Sequence, residues 1–150
     1  MSEAETRVPP VERSIQVPWD PDIAFHRFTE RIDEWWPLET HACDPVKAVT
    51  CAVEPRVGGR LYETTRDGEE HLWGTITAWD PPRRLAFTWH PGRPDATRQD
   101  VEITFTPERG GTRVAVFHTG WERLGENAEE TREQYGPGWE FVLARYSAEC

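Results

Sequence analysis

The stretch Val101–Gly120, VEITFTPERGGTRVAVFHTG, predicts two antiparallel β-strands joined by a tight turn. Apolar residues at 101, 103 and 105 alternate with polar ones, which is the two-residue period of a strand with one buried face. The segment ERGG favours a turn, and TRVAVFHTG then alternates again with Val114 and Val116 on one face. The stretch therefore predicts a hairpin within a sheet that buries one side.

The chain before this hairpin repeats the pattern of short strands and turns. Val11–Val17 and residues 47–54 have strand-like composition, and RDGE at 66–69 and DPP at 80–82 favour turns between further strands. Consecutive strands joined by tight turns pair with their neighbours. The sequence therefore predicts an antiparallel meander rather than parallel βαβ units.

Helical segments are predicted near both ends of the chain. Asp20 is a favourable N-cap and Pro21 suits the first helical position, so a helix is predicted over 21–35, ending at EWWPL. Residues 126–134 predict a polar helical turn or two, and YGPG is predicted to interrupt the helix before it resumes at Pro137. The apolar face of this last helix carries Trp139, Val142, Leu143 and Tyr146.

Together these elements predict an α+β domain of the helix-grip type over residues 11–150, after a disordered tail at 1–10. A strongly curved antiparallel sheet of about six to seven strands wraps around a long C-terminal helix, and a helical segment follows the first strand. Such a sheet leaves a cavity beside the helix. Trp35 and Trp36 of EWWPL are expected where the first helical segment closes one mouth of that cavity.

The composition excludes several classes of function. Asp and Glu number 27 against 17 Lys and Arg, a net charge of −10, which disfavours nucleic acid and anionic lipid as partners. No apolar run approaches the roughly 20 residues that span a bilayer, and MSEAETRVPP lacks the apolar core of a signal peptide. Three cysteines without metal-ligand spacing favour reduced thiols in a cytoplasmic protein.

Two titratable side chains are predicted to face the cavity. His118 is in phase with Val114 and Val116, where it could bind a ligand oxygen or act as a general acid or base, or could be a hydrogen-bonded core histidine. Glu63 is in phase with Leu61, where it could transfer protons, or could be a strand-edge residue paired with an arginine.

Eight tryptophans in 150 residues suggest that indoles line the cavity as well as fill the core. Trp89 shares its phase with inward-facing neighbours, whereas Trp73 is out of phase with Leu72 and Ile76, which favours a position facing away from the cavity. The residues expected to contact a ligand are Trp35, Trp36, Leu61, Glu63, Trp73, Phe87, Trp89, Phe105, His118, Trp139 and Leu143.

The sequence carries no nucleophile elbow, phosphate loop or dinucleotide fingerprint, and its five histidines are scattered. We therefore predict no metal and no cofactor. An exposed edge strand could pair two chains, so the expected state is a monomer or a weak homodimer.

The segments PDIAFHRFTERIDEWWP, VEPRVGGRLYE, DGEEHLWGTITAWDPPRRLAFTW, VEITFTPERGGTRVAVFHTGWERLG and the late GW resemble the START-like, Bet v 1-like helix-grip superfamily. The branch concerned is similar to the C-terminal domain of the Hsp90 ATPase activator. The resemblance covers residues 11–147 and implies a deep, largely apolar pocket between the sheet and the final helix. It implies no single reaction.

EWWP, GGRLYE, DGEEH, TRVAVFHTGWERLG and GW also resemble the self-resistance proteins of enediyne producers such as calicheamicin producers. That resemblance implies binding of an enediyne and donation of a hydrogen from a glycine backbone to the diradical, which cuts the chain in place of DNA. The nearest matching positions are Gly110 and Gly111.

Three hypotheses follow for function. The first is a binder of a bulky hydrophobic or polycyclic natural product, either sequestering or self-sacrificing, with no turnover. The second is a polyketide cyclase or aromatase that uses the same pocket, with His118 and Glu63 as its catalytic groups. The third is an Hsp90-activator-like co-chaperone module.

Overall fold

A computed structural model of the protein describes residues 8–148, which form a seven-stranded antiparallel sheet and two α-helices. The strands are β1 (Val11–Val17), β2 (Ala48–Val53), β3 (Arg60–Thr65), β4 (Glu70–Asp80), β5 (Arg84–Trp89), β6 (Gln99–Glu108) and β7 (Gly111–Thr119). The helices are α1 (Pro21–Thr29) and α2 (Ala128–Ser147), and short 3₁₀ turns span Ile32–Glu34, Asp95–Thr97 and Trp121–Asn127.

The sheet confirms the predicted α+β helix-grip fold. Its strand order is β1-β7-β6-β5-β4-β3-β2, so β2 to β7 form a meander and β1 closes against β7. The sheet curls strongly around α2. In the hairpin of β6 and β7, Val101 pairs with His118 and Phe105 pairs with Val114, and all four side chains are buried.

The first helix is shorter than predicted. Asp20 caps it by accepting a hydrogen bond from the backbone N–H of Ile23 at 3.1 Å, as expected, but α1 ends at Thr29 rather than at residue 35. The 3₁₀ turn Ile32–Glu34 follows instead. A regular helix would set Trp35 and Trp36 about 100° apart; the change of direction after α1 allows both indoles to be buried.

The last helix is longer than predicted, because YGPG does not interrupt it. Pro137 lies inside α2 and is exposed. The hydrogen bond that a proline cannot make would have joined it to the carbonyl of Glu133, which is also on the exposed side, where water can solvate the carbonyl. Gly136 faces β1, where an added Cβ would stand 2.6 Å from a guanidinium nitrogen of Arg13.

Strand β4 contains a bulge that reverses the phase expected for Trp73. Leu61 pairs with Gly74 and Tyr62 pairs with Leu72, so Trp73 has no direct partner on β3. As a result Trp73 is 1% exposed while Leu72 is 40% exposed, the opposite of the predicted orientation.

Two groups of aromatic side chains occupy the space between α2 and the sheet. The first, called the filled cluster here, comprises Trp19, Phe25, Phe28, Trp35, Phe105 and Tyr146. The second, called the tryptophan cluster, comprises Trp36, Trp73, Trp89 and Trp139. The filled cluster includes Tyr146 near the C-terminal end of α2, and the tryptophan cluster includes Trp139 near the middle of that helix.

The predicted disordered tail lies largely in residues 1–7, outside the described part of the chain. Residues 8–10 precede β1, and the carbonyl oxygens of Pro9 and Pro10 accept hydrogen bonds from Arg132 of α2 at 2.7 and 3.0 Å. Within residues 8–148, neither helix has the length and apolar character needed to cross a membrane.

Candidate functional site

A cavity of about 270 Å³ lies between the tryptophan cluster, the middle of α2 and the loops that follow α1 and β5. Its volume is close to the lower end of the range for small-molecule sites, about 300 Å³. The residues that line it are Trp36, His41, Ala42, Trp73, Trp89, Pro91, Gln134, Tyr135, Gly138, Trp139 and Val142.

Every indole N–H of the tryptophan cluster is bonded to the protein. The four donors have four different acceptors: Trp36 the carbonyl of His41 at 2.7 Å, Trp73 a carboxylate oxygen of Glu63 at 2.6 Å, Trp89 the hydroxyl of Tyr135 at 3.0 Å, and Trp139 the Nδ1 of His118 at 2.9 Å. Because these donors are engaged, the four indoles offer an occupant of the cavity their aromatic rings and not their polar groups.

Glu63 lies behind the wall that Trp73 forms and does not line the cavity. One carboxylate oxygen accepts from the Trp73 indole and from the backbone N–H of Cys43, each at 2.6 Å, and the other accepts from the backbone N–H of Asp44 at 2.9 Å. Its partners are thus an indole and two backbone groups, instead of the arginine that the alternative interpretation assumed. Glu63 fixes the loop that brings His41 and Ala42 to the cavity.

His118 also lies one layer behind the cavity, stacked on Trp121 at 4.1 Å between ring centroids. Its Nδ1 accepts the Trp139 indole hydrogen, so the neutral ring carries its own hydrogen on Nε2, 3.3 Å from the side-chain oxygen of Gln99. Burial lowers the pKa of His118 to about 3. The residue is therefore neutral at physiological pH, and its contacts are those of a hydrogen-bonded core histidine.

The other predicted contact residues divide between the cavity and the core. Trp36, Trp73, Trp89 and Trp139 line the cavity. Trp35 belongs to the filled cluster, where its indole N–H donates to the carbonyl of Arg27 at 2.8 Å. The remaining ones are buried core residues outside the cavity lining: Leu61, Phe87, Phe105 and Leu143.

Gly110 and Gly111 form the turn between β6 and β7, with Gly110 at a φ of +86°. They lie at the opposite end of β7 from His118, and the seven to eight residues between them correspond to about 23–26 Å along an extended strand. Neither glycine lines the cavity.

Sequence reasoning missed three polar residues of the cavity: His41, Gln134 and Tyr135. The reason is clearest for Tyr135. The expected interruption at YGPG separated it from Trp139 and Val142. In the continuous helix α2 these three residues stand at i, i+4 and i+7, which places them on one face. Burial raises the pKa of the Tyr135 hydroxyl, and the hydrogen bond from Trp89 opposes that shift in part. Tyr135 is therefore a neutral phenol at physiological pH.

His41 and Gln134 are the other polar side chains that line the cavity. His41 has the better-defined contacts. Its ring packs against Phe141 with 5.1 Å between centroids, and its Nδ1 is 2.6 Å from the hydroxyl oxygen of Thr40. Burial lowers the pKa of His41, partly opposed by Glu39. Among residues 8–148 there is no group of three or more His, Cys, Asp or Glu side chains placed to hold a metal ion.

Comparison with known families matches residues 20–145 to the model described as Activator of Hsp90 ATPase homolog 1-like protein. No curated protein matches the chain. Among solved structures, the anthrahydroquino-γ-pyrone synthase Txn09 is 32% identical with a TM-score of 0.62, over 95% of this chain and 97% of that one.

Two structures with lower sequence identity share the fold. MLL2253 from Mesorhizobium loti has a TM-score of 0.69 at 19% identity, over 93% of this chain and 94% of that one. DynU16, from the dynemicin biosynthetic locus, has a TM-score of 0.68 at 19% identity, over 94% of this chain and 46% of that one.

Proposed function

The chain belongs to the Activator of Hsp90 ATPase homolog 1-like family, and within that family we propose that it binds a flat, polycyclic aromatic compound of polyketide type in the tryptophan-lined cavity. The observation that carries the proposal is the hydrogen bonding of the walls. All four indole N–H groups are engaged by the protein, so the surface offered to a ligand is aromatic. Flat π-systems match such a surface by offset or edge-to-face stacking.

The size of the cavity limits how much of a ligand it encloses. About 270 Å³ accommodates a small fused-ring system better than an entire decorated natural product. We expect a larger compound, such as an enediyne-type product, to insert its aromatic portion and leave the rest outside the mouth.

The activity of one relative supports a polycyclic aromatic ligand. Txn09 is a synthase of an anthrahydroquino-γ-pyrone, a polycyclic aromatic product, and it resembles this chain at 32% identity over nearly the full length of both. The likeness to DynU16, at 19% identity, supports the fold alone.

A binding role without turnover is better supported than a catalytic role for His118 and Glu63. His118 and Glu63 lie behind different walls and are held by indoles and backbone groups rather than facing a common point in the cavity. We therefore propose a sequestering role in natural-product biosynthesis or self-resistance, in the cytoplasm, as a monomer or weak homodimer. Self-sacrifice at Gly110–Gly111 is less favoured, because that turn is remote from the cavity.

A cyclase-type reaction is the second candidate. The similarity to Txn09 favours it, and the phenol of Tyr135 is a group in the cavity that could polarise a substrate oxygen. A co-chaperone role would use an outer surface and would leave the cavity unexplained, so it is the least favoured of the three.

The proposal is tested by tryptophan fluorescence titration with three- and four-ring quinones and, as a comparison, a fatty acid of similar carbon number. Saturable quenching by the quinones at micromolar concentration, about 8 kcal/mol of binding free energy, is expected. The fatty acid should give no saturable change. No saturable response to any polycyclic compound would overturn the proposal.

Gly138 provides a blocking variant, because it lines the cavity and an added Cβ there meets no atom within 4 Å. Gly138→Leu should weaken quinone binding at least ten-fold. The fold should be retained or stabilised by up to about 1 kcal/mol, since glycine is a poor helix residue. Gly138→Ala is the matched control and should bind nearly as the wild type does. Equal quinone affinity in the wild type and Gly138→Leu would place the ligand elsewhere.

A further inference from the structure

We infer that the hydroxyl of Tyr135 determines which aromatic compounds the cavity accepts, by donating its hydrogen to a carbonyl oxygen on the ring system. This inference rests on the proposed function and narrows its ligand class to aryl ketones, quinones and pyrones. Fused hydrocarbons of the same shape would then bind less well.

The hydrogen bonds of Tyr135 leave one donor unused. Its oxygen accepts the Trp89 indole hydrogen at 3.0 Å. Among the described residues the hydroxyl has no other hydrogen-bond partner, so its own hydrogen is directed to no protein acceptor. The side chain lines the cavity, where a ligand oxygen could take that hydrogen.

The other tyrosine of α2 shows what a purely structural phenol does in this fold. Tyr146, three helical turns further on, donates its hydroxyl hydrogen to the carbonyl of Ala24 at 2.6 Å and so joins α2 to α1. Tyr62 lies on β3 beneath the guanidinium of Arg60. Of the three tyrosines, only Tyr135 lines the cavity.

The surroundings of Tyr135 make its hydroxyl a well-placed donor. The ring is held by His118 at 5.1 Å and Trp121 at 5.2 Å between centroids, so the hydroxyl has little freedom to turn away. Accepting a hydrogen bond from Trp89 polarises the O–H group and strengthens it as a donor. A hydrocarbon in the cavity would cover this donor without satisfying it, which is unfavourable.

The test compares 9-fluorenone with fluorene, two planar three-ring compounds that differ by one carbonyl oxygen. The wild type should bind fluorenone at least about five-fold more tightly than fluorene. In Tyr135→Phe this ratio should fall to near one. The variant also removes the acceptor for the Trp89 indole, but a disturbed wall affects both probes, so the ratio isolates the hydroxyl. Tyr62→Phe is the matched control and should keep the wild-type ratio.

Infrared spectroscopy provides a second readout. The carbonyl stretch of bound fluorenone should move to lower frequency in the wild type and in Tyr62→Phe, and should return towards its value in an apolar solvent in Tyr135→Phe. A shift that persists in Tyr135→Phe but disappears in His41→Phe would assign the donor to His41 and overturn the inference.

The two proposals fail in different ways. Saturable binding of both probes with equal affinity would overturn the role of Tyr135 and leave the aromatic binding function standing. Absence of binding by either probe, and by the larger quinones, would overturn the binding function itself.

Discussion

The filled cluster and the tryptophan cluster are built from similar side chains under the same helix, yet one is solid and the other encloses a cavity. In the filled cluster, Phe28 contacts Trp35, Phe105 and Tyr146 with ring centroids 5.1, 5.8 and 5.2 Å apart. In the tryptophan cluster, the centroid distances range from 5.0 Å for Trp36–Trp73 to 6.3 Å for Trp89–Trp139, and about 270 Å³ stays open beside them.

The difference lies in where each cluster finds its hydrogen-bond acceptors. Trp35 and Tyr146 donate to backbone carbonyls of α1, so their polar atoms draw the rings onto the neighbouring helix. Trp73 and Trp139 donate outward, to Glu63 and His118 behind the walls. Because Trp73 and Trp139 find their acceptors behind the walls, their rings can face an open cavity without leaving a buried N–H unsatisfied.

Hollowing the filled cluster should produce the largest effect. Phe28→Ala removes a ring that is 2% exposed and should lower the free energy of unfolding by about 3–5 kcal/mol, through lost burial and a new void. Urea denaturation measures this loss. Phe141→Ala, on a ring that is 40% exposed, is the control and should cost less than about 1 kcal/mol. A cost below 1 kcal/mol for Phe28→Ala would mean that the filled cluster is not tightly packed around this ring.

The sequence predicted those features of the two clusters that depend on local periodicity. Alternation along β7 and β3 placed His118 and Glu63 on the inner face, and both are fully buried. Alternation along β6 placed Phe105 in the core for the same reason. The two-residue period of a strand is a property of neighbouring residues and needs no knowledge of the rest of the fold.

The features that were missed depend on contacts between distant segments. The phase of Trp73 is set by a bulge beside Gly74, a glycine that lies against the backbone of Thr88 on β5. Helix α2 passes through Pro137 because that residue happens to face solvent. Once the helix was divided at YGPG, Tyr135 could not be grouped with Trp139. The positions of His118 and Glu63 behind the indoles likewise follow from packing and not from phase.

The second-largest expected effect is a loss of stability at low pH that arises from His118, behind the tryptophan cluster. The pKa of His118 is about 3 in the folded protein and about 6.5 when unfolded, so below pH 6.5 the unfolded chain binds a proton that the folded chain does not. The free energy of unfolding should therefore decrease as the pH is lowered, by about 2 kcal/mol between pH 7.5 and pH 5 from this residue alone.

Denaturation of the wild type and His118→Gln across this pH range checks the prediction. Carboxylates titrate in both proteins and cancel in the comparison, so the variant should lack the 2 kcal/mol contribution. If the free energies of unfolding of the two proteins changed equally with pH, His118 would not resist protonation. Water would then reach its ring behind the tryptophan cluster.

The smallest expected effect concerns the loop at the cavity mouth. Glu63→Gln keeps the size of the side chain but replaces one carboxylate oxygen with an NH2 group. Because the backbone N–H groups of Cys43 and Asp44 donate to different oxygens of Glu63, the glutamine can accept only one of these two hydrogen bonds, and the loop loses one of its two anchors. The loop should then open more readily, by about 1.5 kcal/mol, with roughly ten-fold faster hydrogen exchange at the amides of Cys43 and Asp44. NMR-detected exchange resolves these two amides.

Glu54→Gln is the matched control, because Glu54 also accepts a backbone hydrogen bond, from Arg60 at 2.8 Å, away from the cavity. It should speed exchange at Arg60 and leave Cys43 and Asp44 unchanged.

If Glu63→Gln left the two loop amides unchanged, the loop would be held by its other contacts, such as the Glu39–Arg145 ion pair at 2.6 Å. Glu63 would then serve only to hold Trp73 in the wall. A loop that loosens in Glu63→Gln would instead show that one buried carboxylate holds both a wall of the cavity and its mouth, a coupling for which the filled cluster has no counterpart among the described residues.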